Sequence, residues 1–183
     1  VTKTTRTRWL ASISLGLLAV LSVGACTSRD DEDLREGTLD TRLETHAVLP
    51  GEPSAAGLEY VQAVAEAHRQ ADRASERQAA VEILMTAVER VPPAGDGTAE
   101  LLHYELLART AELLVTERDP ERALQLLGPH LAPARSLPID RGSARCLVAQ
   151  GDAAAQTGDH ALAMSSYARA LELLTLLLEE VET

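Results

Sequence analysis

An all-α fold is predicted by three observations. Alanine and leucine dominate the chain, and there is no phenylalanine and a single tryptophan, a composition that favours helix. From Ala55 onward the sequence divides into six apolar stretches of helical period, separated by turn signals. Nowhere does it alternate apolar and polar residues in the β manner between turns.

Residues 1–25 are set apart from that fold. Lys3, Arg6 and Arg8 precede an uncharged run from Trp9 to Ala25, the order of a secretory signal. The run is marginal for a membrane span, which needs about 20 apolar residues, and it ends in small residues, so cleavage is expected. The block Val23-Gly24-Ala25-Cys26 resembles the lipobox of bacterial lipoproteins, with Val23 where leucine is more usual. That resemblance implies cleavage before Cys26 and attachment of a diacylglycerol, carrying palmitate-like chains, to its thiol. Two or three acyl chains hold a protein to a bilayer where one gives only marginal binding. No aspartate follows Cys26; Thr27 and Ser28 do. In Gram-negative members of that family this implies the periplasmic face of the outer membrane.

Residues 26–54 carry the acidic run Asp30-Asp31-Glu32-Asp33 and the punctuation Pro50-Gly51 and Pro53, without a sustained apolar period. This predicts a flexible acidic tether of about 30 Å. The run lacks the alternating ligands and turn glycine of a calcium loop.

Residues 55–183 form the predicted domain. Its helices fall at about 56–72, 76–91, 99–116, 120–131, 141–156 and 160–181, in three antiparallel pairs. Ser75 with Gln78 has the spacing of a capping box, Asp119-Pro120 places a capping acid before a first-turn proline, and Asp159 follows Gly158. Breaks fall from Pro92 through Gly97, at Gly128-Pro129 with Pro133, and at Pro138.

The last pair carries Gly151 and Ala154, Gly158 in the turn, then Ala163, Tyr167 and Ala170, and so resembles a tetratricopeptide repeat over residues 144–177. Small residues at Gly151, Ala163 and Ala170 let the helices approach, while Leu147 and Tyr167 are expected to fill the space between neighbouring pairs. A partial match over 61–94 rests on Ala80, Leu84, Ala87 and Pro92. A weaker one over 104–137 rests on Leu107, Ala111, Leu114, Ala123 and Leu127, with His130 where a small residue is usual. The resemblance implies antiparallel hairpins stacked as a short α-solenoid.

In such solenoids the first helices of the pairs line a groove that holds a peptide or partner helix. The positions implied are Gln62, Ala65, Arg69 and Asp72; Glu105, Ala108, Glu112 and Val115; Arg145, Val148, Asp152 and Ala155. The lysine and asparagine set that grips a terminal carboxylate in chaperone-binding members is absent, so a basic or amphipathic segment suits this surface better. The final helix carries leucine at 171, 173, 174, 176, 177 and 178, more than one buried face requires. Leu173, Leu174 and Leu177 are therefore a candidate docking or dimer face.

Charge and motif content narrow the function. The chain has 28 acids against 17 bases and a formal charge of −11, which becomes −14 when Lys3, Arg6 and Arg8 leave with the signal. That balance argues against nucleic acid as a partner. Once Cys26 is lipidated only Cys146 remains, leaving no internal disulfide. The five histidines lie far apart in sequence, without a His-Glu-x-x-His pair, and Gly95-Asp96-Gly97 lacks the rest of a phosphate loop. No nucleophile elbow is present. No metal, cofactor or enzymatic activity is expected, and the chain reads as a lipid-anchored envelope adaptor or scaffold that binds another envelope protein. The design resembles tetratricopeptide lipoproteins that assist pilus secretins or scaffold cell-wall enzymes. A self-assembling lipoprotein is the alternative; an enzyme subunit would require histidines and acids to gather in a deep pocket.

Overall fold

The computed structural model describes residues 43–181, and over that range the chain is mostly helical. The signal segment, the Val23–Cys26 block and the acidic run lie outside the described residues. The helices are α1 (Ala55–Arg73), α2 (Arg77–Val88), α3 (Gly97–Thr116), α4 (Pro120–Leu127), α5 (Arg141–Thr157) and α6 (His160–Val181). They reproduce the six predicted stretches, with α2 and α4 three to four residues shorter at their C-terminal ends than the apolar pattern implied.

The caps explain most of these boundaries. Asp119 accepts from the Arg122 amide with Pro120 in the first turn of α4, and Asp159 accepts from the Leu162 amide at the start of α6. Gly158 ends α5 at φ 84°, a left-handed conformation that glycine adopts without a Cβ penalty. The Ser75 capping box does not form: α2 is preceded by Glu76, and no side chain caps it. Three caps were not foreseen, namely Ser54 on α1, Asp96 on α3 and Asp140 on α5. Asp96 also accepts from the Ser54 backbone amide and hydroxyl, so one carboxylate ties together the starts of two helices.

Helices consecutive in sequence pack as pairs, α1 on α2, α3 on α4 and α5 on α6. Each pair also packs on the next, through α3 against α1 and α2 and through α5 against α3 and α4. With neighbours on several sides, α3 buries Leu106, Leu107, Ala108, Thr110 and Ala111 almost without interruption. One core cluster gathers Tyr60, Val64, Leu84 and Leu106 from α1, α2 and α3; another gathers Leu107, Leu127, Leu147 and Leu173 from α3 to α6. Glycines permit the closest approaches. A Cβ at Gly142 would meet the α3 backbone at Glu105, and one at Gly151 would overlap the Tyr167 ring. Tyr167 therefore packs across its own helix pair, where the repeat pattern had it filling the space between pairs.

Residues 43–54, expected to belong to a flexible tether, are instead joined to the fold at their start. Leu43 is buried in the larger core cluster, and Thr45–His46 (β1) pairs in parallel with Leu137–Pro138 (β2). The Leu137 amide donates to the Glu44 carbonyl at 2.8 Å and the Ile139 amide to the His46 carbonyl at 2.9 Å. A two-residue strand has no room for the alternation that marks strands in a sequence, and the prolines and charges nearby read as linker.

Candidate functional site

Several of the residues expected to line a groove on the first helices engage one another in a ladder of charge pairs. Arg109 of α3 donates to Asp72 and lies 2.7 Å from the His68 Nδ1 of α1. Arg145 of α5 lies between Glu105 and Glu112 of α3, donating to both carboxylate oxygens of Glu112 and to Glu105. Its bond to Glu112, and the charges of both acids, raise the Arg145 pKa. On α5, Asp152 accepts from the Tyr167 hydroxyl at 2.7 Å, a bond that with partial burial pushes the phenol up to about 12. Arg69 is exposed and paired within α1 to Glu66.

Four of the predicted contact residues, Asp72, Glu105, Glu112 and Arg145, thus join neighbouring helix pairs to each other. Exposed pairs of this kind contribute little singly, while the half-buried Arg145 links α5 to two acids on one side of α3. Gln62 is exposed, Val115 is half-buried against a core cluster, and Ala108 is wholly buried, which removes it from the surface set. Beside the ladder lies a hollow of about 260 Å³ floored by Ala144, Val148, Ala149 and Leu174 and edged by the acids Glu112 and Asp152 and the arginines Arg141 and Arg145.

The leucine-rich helix divides differently from the expectation. Leu173 is fully buried and Leu177 packs against the same core, so neither is a docking residue. Leu174 is 40 % exposed at the hollow, while Met164, Leu171 and Leu178, seven residues apart, form the outer apolar stripe. By length and composition α6 could cross a membrane, yet its buried Ser166 and Arg169 bond to Gln150 and to the Leu131 carbonyl, so this helix belongs to the packed fold.

A second site was not visible in the sequence. A cavity of about 490 Å³ opens between the residues after α2, the first turns of α3 and the segment after α4. His103 and His130 lie on its wall with ring centroids 5.3 Å apart. His46 reaches its rim from β1, bonding Ser136 at 2.9 Å and lying 3.3 Å from Glu100. His103 is 6 % exposed, and its Nδ1 is 2.8 Å from the Tyr60 hydroxyl. Burial, with smaller contributions from His130 and Arg135, lowers His103 to about 4; burial and then Arg135 lower His130 as well. Both rings are neutral at neutral pH, and burial holds Tyr60 and Tyr104 protonated, each raised to about 12. Histidines 46, 103 and 130 come from a strand, a helix and a loop, so no sequence spacing could have joined them. Only the departure at His130 from the small residue of the repeat pattern marked one of them.

Among the described residues no three histidines, cysteines or carboxylates converge as metal ligands. Cys146 is fully buried, and burial raises its thiol pKa well above the ordinary range. Comparison with protein-family models, with characterised proteins and with solved structures found no match to this chain.

Proposed function

We propose that the protein is a lipid-anchored envelope scaffold whose helix pairs, stacked as a short tetratricopeptide-like solenoid, hold a segment of another protein. The observation that carries this reading is the common face of α1, α3 and α5, where the charge ladder adjoins the hollow at Val148 and Leu174. Stacking of each pair on the next supports the solenoid, and the lipobox resemblance at Val23–Cys26 supports the anchor. An apolar floor rimmed by charges of both signs suits an amphipathic segment that presents an apolar anchor flanked by polar or charged groups. The excess of acids makes nucleic acid an unsuitable partner.

Crosslinking and affinity capture of the protein from its own envelope test this reading. The wild type is compared with a Val148→Glu, Leu174→Glu variant and with Cys26→Ser, which cannot take the lipid. The expected result is one captured envelope protein that the double variant loses, together with release of Cys26→Ser from the membrane. Recovery of only further copies of the chain, with the outer stripe at Leu171 crosslinked, would favour self-assembly. Undiminished capture by the double variant would reject this face as the site.

A further inference from the structure

The cavity between α2, α3 and the segment after α4 shares no residue with the α1–α3–α5 face. Its lining carries two arginines against a single acid, in a chain where acids outnumber bases. Arg90 and Arg135 both line it, and among the described residues neither lies within ion-pair distance of a carboxylate. Arg69, Arg77, Arg109, Arg122 and Arg145 are paired to acids; Arg73, Arg118, Arg141 and Arg169 have no ion pair among the described residues either, but none of them lines this cavity, where two such arginines come together. Arg135 is held by a bond from its guanidinium to the Pro129 carbonyl at 3.0 Å, and its charge acts on His103, His130 and Tyr104 together. The single acid on the wall, Glu100, is engaged by His46.

The imidazoles add oriented polarity without charge. A phenol is the better donor and an imidazole nitrogen the better acceptor, so Tyr60 donates to the Nδ1 of His103 and the ring carries its proton on Nε2. One side of the cavity is apolar, formed by Val88, Val91 and Pro92. Its volume falls within the range of small-molecule pockets.

We propose that this cavity binds a small organic monocarboxylate, with the carboxylate against Arg135 and its apolar part along Val88 and Pro92. Two guanidinium groups without carboxylate partners favour an anion, and the buried His103 side of the cavity screens that attraction less than open water would. Glu100 on the same wall disfavours a second negative charge, which separates a monocarboxylate from a phosphate dianion. The apolar side gives an aryl or alkyl group a place that inorganic anions cannot use.

The test titrates the full chain in detergent at neutral pH with benzoate, its neutral isostere benzamide, and inorganic phosphate. Binding is followed through the imidazole resonances of His103 and His130 and through the thermal midpoint. Benzoate is expected to bind in the millimolar range or tighter and to shift both histidines. Arg135→Gln is expected to weaken it about tenfold or more, the worth of one charge-assisted bond. Arg90→Gln, at an exposed position whose side chain makes no hydrogen bond among the described residues, is expected to weaken it severalfold without disturbing the fold. Arg118→Gln, outside the cavity, is expected to leave affinity unchanged. Benzamide binding as well as benzoate, phosphate binding more tightly than benzoate, unchanged affinity in both Arg135→Gln and Arg90→Gln, or no histidine shift at millimolar benzoate would each overturn the proposal.

Discussion

His103 is nearly closed off from solvent beside Tyr60 and His130, and the cost of charging it there has a consequence for stability. Its pKa is about 4 in the fold against an ordinary value of 6.5, so in the window between them the unfolded chain binds the proton that the native state refuses. The stabilisation is complete above about pH 6.5 and is lost as pH falls towards 4, by roughly 3 kcal/mol at most. His130 and His68, also lowered chiefly by burial, act in the same direction. Chemical denaturation from pH 7 to 4.5 should therefore show a steady fall in stability. His103→Asn, which keeps an amide near the Tyr60 hydroxyl, should flatten that slope; an unaltered slope would mean that other groups set it.

At the scale of elements, the helices were legible because each carries its own signals. The apolar period, Pro120 after Asp119 and the Gly158-Asp159 turn are local chemistry, and they mark the same helices in the structure. What escaped was assembled from distant residues: the Asp96 bond back to Ser54, the pairing of Thr45–His46 with Leu137–Pro138, and the three histidines around the cavity. Helical spacing fixes which side chains of one helix align, and so sets which of the expected groove residues share a side of their own helix. Their engagement with one another, Arg145 with Glu105 and Glu112 above all, depends on how the pairs stack and has no sequence signature. Leu173 and Leu177 show the same limit, since a helix with leucine on nearly every side does not declare which side is inside. Leu43 is the one apolar side chain of the segment around β1 that is fully in the core, while Val48 packs less deeply against Gly97. Leu43→Ala should cost about 2 kcal/mol, near the low end for a buried leucine, and should speed hydrogen exchange at the Leu137 and Ile139 amides. Unchanged exchange there would mean that the backbone bonds alone hold the segment.

Across the whole described fold, α3 is the common element. It contributes Leu106 to one core cluster and Leu107 to another, adjacent residues facing different partners. Loss of packing on either side is therefore felt on the other, which predicts a single unfolding transition for residues 43–181. Leu147→Ala, which removes a fully buried side chain of α5, should lower stability by about 2–5 kcal/mol and leave far-ultraviolet circular dichroism and fluorescence-label transitions coincident. Separate transitions for the first and last helix pairs would show that α3 does not couple them.

The parallel contact of β1 with β2 also has a mechanical meaning. Tension applied to the chain ahead of Leu43 meets the two bonds at Glu44 and His46 before it meets any helix, and strands drawn lengthwise past each other load such bonds together in shear. The residue that takes this strain, His46, is also the one that holds Ser136 and Glu100 at the mouth of the cavity. A chain tethered at its N-terminal side would thus transmit a tug from its attachment point to the rim of a pocket about 90 residues further along the sequence, with the helices as a fixed frame.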